Sequence, residues 1–250
     1  MATLKRIQTR LKSVKNIQKI TQSMKMIAAA RYTKAERELK PVRLYGDGAT
    51  ALYSAAEVEA LDQKENHLII AVSSDRGLCG GIHSNVSKAV KATMAEKGDT
   101  ANVKMIIIGD KARTQLQRCL LLFICRLYAD NIMFSVNDYG RKTPAFEDAS
   151  MVAGALLDSG YEFDTGEIIF NRFRSVVSYK TSSQPVFPFN VLSQSEKMSI
   201  YDDVDSDILR CYSEFQLASI LYYTLMEANC SEQSSRMTAM DNASKNAGKT

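Results

Sequence analysis

Residues 4–27, LKRIQTRLKSVKNIQKITQSMKMI, place an apolar side chain at nearly every third or fourth position. Such steps bring apolar side chains onto one stripe of an α-helix, and Thr3 can serve as its N-cap. The stripe comprises Leu4, Ile7, Leu11, Val14, Ile17, Ile20, Met24 and Ile27. Pro41 predicts a kink or the end of this helix, because proline lacks an amide donor and disfavours helix at the residue before it. A second helical stretch, Ala49–Leu61, then follows in roughly the same direction.

The other end of the sequence predicts a second long helix. From Asp207 onward, helical spacing persists for about 40 residues, which corresponds to about 60 Å of helix. The residues that carry it are Ile208, Tyr212, Phe215, Ser219, Tyr222, Met226, Gln233, Met237 and Met240. If the two helices flank one domain, they pack as an antiparallel coiled coil. If Ser54 then lies near the level of Ile208, Lys249 lies near the level of Lys12 or Ser13. The steps are not regular heptads, so we expect a loose coil.

Between the helices, short β-rich runs alternate with helical patterns, which is typical of a parallel sheet covered by helices. Predicted strands are His67–Ser73, Val103–Ile108 and Ile132–Val136, with further strands at Ile168–Phe170 and Val176–Tyr179 and a loop over Thr181–Pro188. Predicted helices are Ile82–Glu96, Ala112–Leu122 and Phe146–Leu157. The predicted fold class is α/β, a long antiparallel coiled coil of terminal helices flanking a Rossmann-like parallel-sheet domain. Its segments are 1–61, 62–206 and 207–250.

Charge is distributed unevenly along the chain. The net charge is only +4, yet residues 1–35 hold nine basic side chains and no acidic one, which favours an acidic partner. A basic amphipathic start also resembles a transit peptide, but the helical pattern continues past any plausible cleavage point. No apolar run approaches the roughly 18 residues needed to span a bilayer. The spacing of the five cysteines, which lacks CxxC, argues against a zinc site and a disulfide framework. A reducing compartment is therefore favoured.

Residues 74–81, SDRGLCGG, lie between a predicted strand and a helix, where α/β domains often bind phosphate. The segment has neither the GxGxxG nor the GxxxxGK[ST] order, so a structural turn is the stronger reading. Cys79 lacks a partnered base, and neither His67 nor His83 belongs to a recognisable triad. We therefore predict no catalytic residue, no cofactor and no metal site, while a nucleotide-dependent α/β enzyme remains an alternative that depends on this loop.

Two long segments carry a resemblance to a known family. Leu11–Ala30 closely resembles the N-terminal helix of the gamma subunits of mitochondrial F-type ATP synthases, and Ser231–Ala247 resembles their C-terminal helix. Ser74–Gly80 and Tyr161–Tyr179 match as well, so the resemblance covers nearly the whole chain.

The resemblance implies a rotor shaft that does no bond chemistry and that couples proton-driven rotation of the c-ring to conformational change at the catalytic sites. Implied partners are the alpha and beta subunits, the epsilon-type and delta-type subunits and the c-ring, on the matrix side of the mitochondrial inner membrane. The resemblance also implies contacts with the hexamer. Met24, Lys25 and Arg31 would meet the acidic levers of the beta subunits, and Gln233, Arg236 and Met240 would lie opposite them on the partner helix.

The sequence departs from the family in three places. Arg118–Arg126 looks like an insertion, Pro41 interrupts a helix that the family continues, and the sequence stops about 25 residues, or about 40 Å of helix, before the family's usual end. We therefore keep a divergent or truncated paralogue with impaired coupling as an alternative. A basic coiled-coil protein that binds nucleic acid is another, although no DNA-binding motif accompanies the basic helix.

Overall fold

The computed structural model describes residues 3–58, 66–97, 102–117, 130–195, 197 and 204–249. The helices are α1 (Leu4–Ala55), α2 (Ile82–Lys97), α3 (Asp110–Gln117), α4 (Phe146–Asp158), α5 (Phe189–Ser193) and α6 (Ser206–Lys249). The strands are β1 (Asn66–Val72), β2 (Asn102–Ile108), β3 (Ile132–Val136), β4 (Thr165–Ser175) and β5 (Ser178–Val186). Within these residues, no helix has the length and hydropathy needed to cross a membrane.

The helix α1 continues through Pro41, so the predicted break there is wrong. Pro41 and Arg37, whose carbonyl loses its helical amide partner, both lie on the exposed side of α1. Water can hydrogen-bond that carbonyl, which makes a proline tolerable at this position. Thr3 occupies the N-cap, as predicted, although its side chain makes no capping hydrogen bond.

Helices α1 and α6 pack antiparallel, as predicted. The Lys25 Nζ lies 2.6 Å from Asp241 Oδ1, and the amide of Gln216 donates to Ala49 O over 2.6 Å, so positions that rise along one helix fall along the other. A Cβ built on Gly248 would lie 3.1 Å from the Nε2 atom of Gln18. Lys249 therefore lies near the level of Gln18, and the predicted level of Lys12 or Ser13 is wrong by more than one helical turn.

The helix face that packs against α6 also differs from the predicted stripe. Ile17, Ile20 and Ile27 are more than half exposed. Instead, the buried residues of α1 are Thr21, Ala28, Tyr32, Ala35, Leu39, Val42, Gly46 and Tyr53. Many of these are small or polar, so a search for large apolar residues selects the wrong face.

The sheet has the strand order β3-β2-β1-β4-β5, in which all neighbours are parallel except β4 and β5. This confirms the predicted α/β fold with a parallel-dominated sheet. The loop predicted at Thr181–Pro188 is wrong, because β5 extends to Val186 and forms a hairpin with β4. The edge strand β5 buries little of its surface and is mostly polar, so it carries a weak hydrophobic signal.

Side chains alternate between the two faces of the sheet and build two separate cores. Ile70, Ile106 and Phe170 face the coiled coil, whereas Ile69 and Ile107 face α2 and α3. The coil is therefore a layer of the same body as the sheet. The segment boundaries at 61 and 206 stay predictions, and the proposed insertion Arg118–Arg126 lies outside the described residues.

The junction of coil and sheet as the candidate functional site

The loop after β1 lies at the carboxyl edge of the sheet, where it is tied down by its own neighbours. The Ser73 hydroxyl donates to Ile108 O over 2.8 Å, and the Asp110 amide donates to Asp75 Oδ1 over 2.7 Å. Gly109 has a φ of +91°, and a Cβ there would lie 2.5 Å from Ser74 backbone atoms, so only glycine fits. The polar groups of this strand-to-helix turn hold the loop onto the next strand.

Side chains of α6 bind the outer half of this loop. The Ser235 hydroxyl donates to Cys79 O over 2.5 Å, and Arg236 Nε donates to Gly77 O over 3.4 Å. Arg236 also pairs with Glu232 and donates to Gln233 Oε1 over 2.9 Å. Glu232, Gln233 and Arg236 are all buried, so their hydrogen bonds are shielded from water. The C-terminal helix is thus fastened to the loop that the sequence singled out.

Two groups that could have carried chemistry are held in structural roles. Burial and the charge of Glu232 raise the pKa of the Cys79 thiol to about 11, which keeps it protonated at neutral pH. Burial lowers the pKa of His83, and its neutral ring donates from Nε2 to Arg76 O over 2.9 Å. These contacts favour a packed turn at this loop over a nucleophile with its base.

The other histidine belongs to a polar cluster at the opposite edge of the sheet. His67 Nδ1 lies 2.7 Å from Thr165 Oγ1, and His67 Nε2 lies 3.3 Å from Glu167 Oε1 and 3.1 Å from Lys97 Nζ. Burial opposes ionisation of Glu167, but hydrogen bonds from His67 and Ser183 and the charge of Lys97 outweigh it and lower its pKa to about 2. The cluster joins the end of α2 to β1 and β4. Within the described residues, no three histidine, cysteine or acidic side chains are grouped so as to hold a metal ion.

A basic patch, defined as Arg31, Arg76, Lys111 and Arg141, includes one residue of the loop itself, Arg76. Burial lowers the pKa of Arg76, and the positive charges of Arg236, Arg31 and Arg141 lower it further. A Cβ built on Gly77 would lie 3.8 Å from Cε of Lys111, so Lys111 flanks the same loop. Arg141 pairs with Asp138 at 3.2 Å. Arg31 was predicted from the sequence. The other three were missed, because they come from separate loops and helices and no local pattern connects them.

The predicted contact residues separate into two groups. Met24 and Lys25 are half-buried, Lys25 pairs with Asp241, and Arg31 is exposed. By contrast, Gln233, Arg236 and Met240 are buried within this chain. Contact with another subunit stays a prediction for all six residues. Because Gln233, Arg236 and Met240 are buried, these three have little exposed surface with which to contact another subunit.

Comparison with known proteins gives consistent results over nearly the whole length. The family model described as ATP synthase matches residues 3–250. The mitochondrial gamma subunit of the rat F(1) complex is 56% identical over 247 residues, covering 98% of this chain and 88% of the relative. The mitochondrial gamma subunit of Drosophila melanogaster is 51% identical over 249 residues, covering 99% of this chain and 80% of the relative.

Solved structures agree with the sequence relatives. A chain of the Tetrahymena thermophila mitochondrial ATP synthase central stalk and c-ring aligns with a TM-score of 0.74 at 25% identity, covering 90% of this chain and 99% of that one. A chain of the Euglena gracilis mitochondrial ATP synthase aligns with a TM-score of 0.73 at 15% identity, covering 97% and 82%, and supports the fold alone.

Proposed function

The chain belongs to the gamma-subunit family of mitochondrial ATP synthases, and we propose that it acts as the central shaft that rotates inside the hexamer of alpha and beta subunits. Rotation driven by the c-ring changes the conformation of successive catalytic sites and so couples proton flow to ATP synthesis. Its location is the matrix side of the mitochondrial inner membrane, as a peripheral subunit.

One observation carries this function: α1 and α6 form a coil that is continuous with the sheet domain. The 52 residues of α1 and 44 residues of α6 correspond to about 78 Å and 66 Å of helix. Since α6 packs against both α1 and the sheet, a rotation of the domain turns the coil with it. A lever of this length suits the transmission of torque between distant partners.

We propose that the subunit itself is not catalytic. Cys79 and His83 serve the packing of the strand-to-helix loop. The carbonyl groups of this loop accept hydrogen bonds, Gly77 O and Cys79 O from side chains of α6 and Arg76 O from His83. Nucleotide chemistry then belongs to the alpha and beta subunits, and this chain needs no cofactor. A nucleotide-dependent enzyme and a nucleic-acid-binding protein gain no support from relatives that are ATP synthase subunits.

We further propose that Met24, Lys25 and Arg31 meet acidic segments of the beta subunits. Arg31 is exposed and Lys25 is half-buried. Cations on the shaft attract acidic partners without locking to one of them, which suits a surface that passes several neighbours per turn. The interior residues Gln233, Arg236 and Met240 then support this surface from within. The end of the sheet domain remote from the basic patch is left for the epsilon-type and delta-type subunits and the c-ring.

Reconstitution tests this function. We expect the chain to assemble with alpha and beta subunits and, with the remaining subunits in vesicles, to support ATP-driven proton pumping that stops when the chain is omitted. The isolated chain should neither hydrolyse ATP nor bind it at millimolar concentration. Saturable ATP binding in calorimetry, or pumping that does not depend on the chain, would contradict the proposal.

A further inference from the structure

We propose that Arg43 and Glu227 form the joint that carries torque between the sheet domain and the coil. The inference rests on the proposed rotor function and assigns it to a specific pair of residues.

Strand β1 pairs with β4 over only part of its length. The parallel pairing runs from His67 opposite Thr165 to Ala71 opposite Ile169. Beyond Ile169, the backbone groups on that edge of β4 have no strand beside them and need other hydrogen-bond partners. Ser231 Oγ donates to Asn171 O over 2.8 Å, and the Phe173 amide donates to Glu227 Oε2 over 2.8 Å. Side chains of α6 thus take the place of a neighbouring strand.

Arg43 of α1 completes this contact. Its Nε atom donates to Glu227 Oε1 over 2.6 Å and its Nη2 atom to Glu227 Oε2 over 3.2 Å. The same Nη2 atom donates to Phe173 O over 2.8 Å. Each of α1, α6 and β4 is therefore hydrogen-bonded to the other two, in a closed ring around one carboxylate.

The Glu227 carboxylate is fully buried, whereas the Arg43 side chain is 41% exposed, and it is the buried carboxylate that makes the ring resist twisting. Glu227 is fully buried, so rotating the coil against β4 would leave a carboxylate inside the protein without its partners. Apolar contacts between the helices and the sheet are non-directional and permit small slips, whereas a forked arginine–carboxylate pair holds one geometry. By contrast, Lys25 and Asp241 join only the two helices of the coil.

The test compares variants in the complete complex, in vesicles. Arg43→Ala removes the fork, and Arg43→Lys retains the charge but cannot reach both Glu227 and Phe173 with a planar fork. The control is Lys34→Ala, which removes the cation of a pair with Glu38 within α1 at 3.8 Å. ATP hydrolysis and proton pumping are measured together, with and without an opposing proton gradient.

We expect Arg43→Ala to keep most of the ATP hydrolysis while protons pumped per ATP fall by about threefold or more, with a larger loss against the gradient. Arg43→Lys should give a smaller loss, and Lys34→Ala should match the unmodified chain. If all variants pumped the same number of protons per ATP hydrolysed at every proton gradient, the inference would be overturned.

Two further outcomes also count against the joint. If the Arg43 variants fold but fail to assemble, the pair serves assembly, and if they fail to fold, it serves stability. Either result overturns the proposal of a torque joint. Should the unmodified chain itself fail to support pumping, the rotor function falls, and the two failures remain distinguishable.

Discussion

Gly46 of α1 packs against the ring of Tyr223 of α6 and provides a sharp test of the coil packing. A Cβ added there would lie 2.5 Å from Cγ of Tyr223 and within 2.9 Å of both Cδ atoms of that ring, a separation that real Cβ atoms essentially never show. Tyr223 is buried and packs against Phe170 with ring centroids 6.0 Å apart, so the ring has little room to move. We therefore expect Gly46→Ala to force the two helices apart.

The magnitude follows from two opposing effects. Replacing glycine by alanine inside a helix stabilises it by about 1 kcal/mol, whereas overpacking a filled interface costs about 1–3 kcal/mol. Gly48 lies two residues away in α1, and a Cβ there would have nothing within 4 Å. Gly48→Ala should therefore raise the free energy of unfolding by the helix stabilisation of about 1 kcal/mol, with no cost from overpacking. The difference between the two variants isolates the packing term, about 1–3 kcal/mol.

Urea unfolding of the purified chain, followed by circular dichroism, measures both variants. We expect Gly48→Ala to raise the free energy of unfolding and Gly46→Ala to lie below it by the packing term. If both variants were stabilised equally, the close contact at Gly46 would not exist in solution and the reasoning would be refuted.

Three further outcomes are expected. The pKa of Glu167 falls from an ordinary 4.5 to about 2 in the folded protein. Ionised Glu167 therefore stabilises the folded state above pH 4.5, and this contribution is lost as the pH falls towards 2. Glu167→Gln should thus lower the free energy of unfolding by about 3 kcal/mol at neutral pH, and this difference from the unmodified chain should disappear on titration to acid. Exposed Cys211 should react with iodoacetamide at pH 8 well before buried Cys79, as peptide mapping by mass spectrometry can show; equal rates would contradict the packing of the loop. Lys25→Glu places two carboxylates together at Asp241 and should lower pumping per ATP while the sheet domain keeps its unfolding temperature; a destabilised domain would mean that Lys25 is wrongly placed.

Local patterns accounted for most of the elements. Helical spacing from Leu4 and from Asp207 identified α1 and α6, and β-rich runs at β1, β2, β3 and β4 identified the parallel part of the sheet. These elements can be recognised without tertiary information because the helical and strand periods appear in the order of neighbouring residues. Of the hairpin strand β5, only Ser178 and Tyr179 fell within a predicted strand, Val176–Tyr179, because a mostly polar edge strand carries a weak hydrophobic signal.

The candidate site depended more strongly on long-range packing. Arg31 was named through the resemblance to the gamma-subunit family, whereas Arg76, Lys111 and Arg141 lie in three other segments that no local pattern connects. Gln233 and Arg236 were named through the same resemblance, yet both are buried, and Arg236 donates to Gly77 O in the loop after β1. Exposure depends on what packs against a helix, and spacing within the helix does not reveal it.

The sequence by itself determined that two long helices flank an alternating α/β segment, and two specific stretches in those helices indicated the family. Tertiary structure alone decided which face of α1 is covered, that α1 continues past Pro41, and that Arg43 meets Glu227. Those two residues are 184 positions apart, and the fully buried Glu227 lies where one edge of β4 has no neighbouring strand beyond Ile169. Burial and pairing at such separations arise from the whole packed chain, so no local window of sequence contains them.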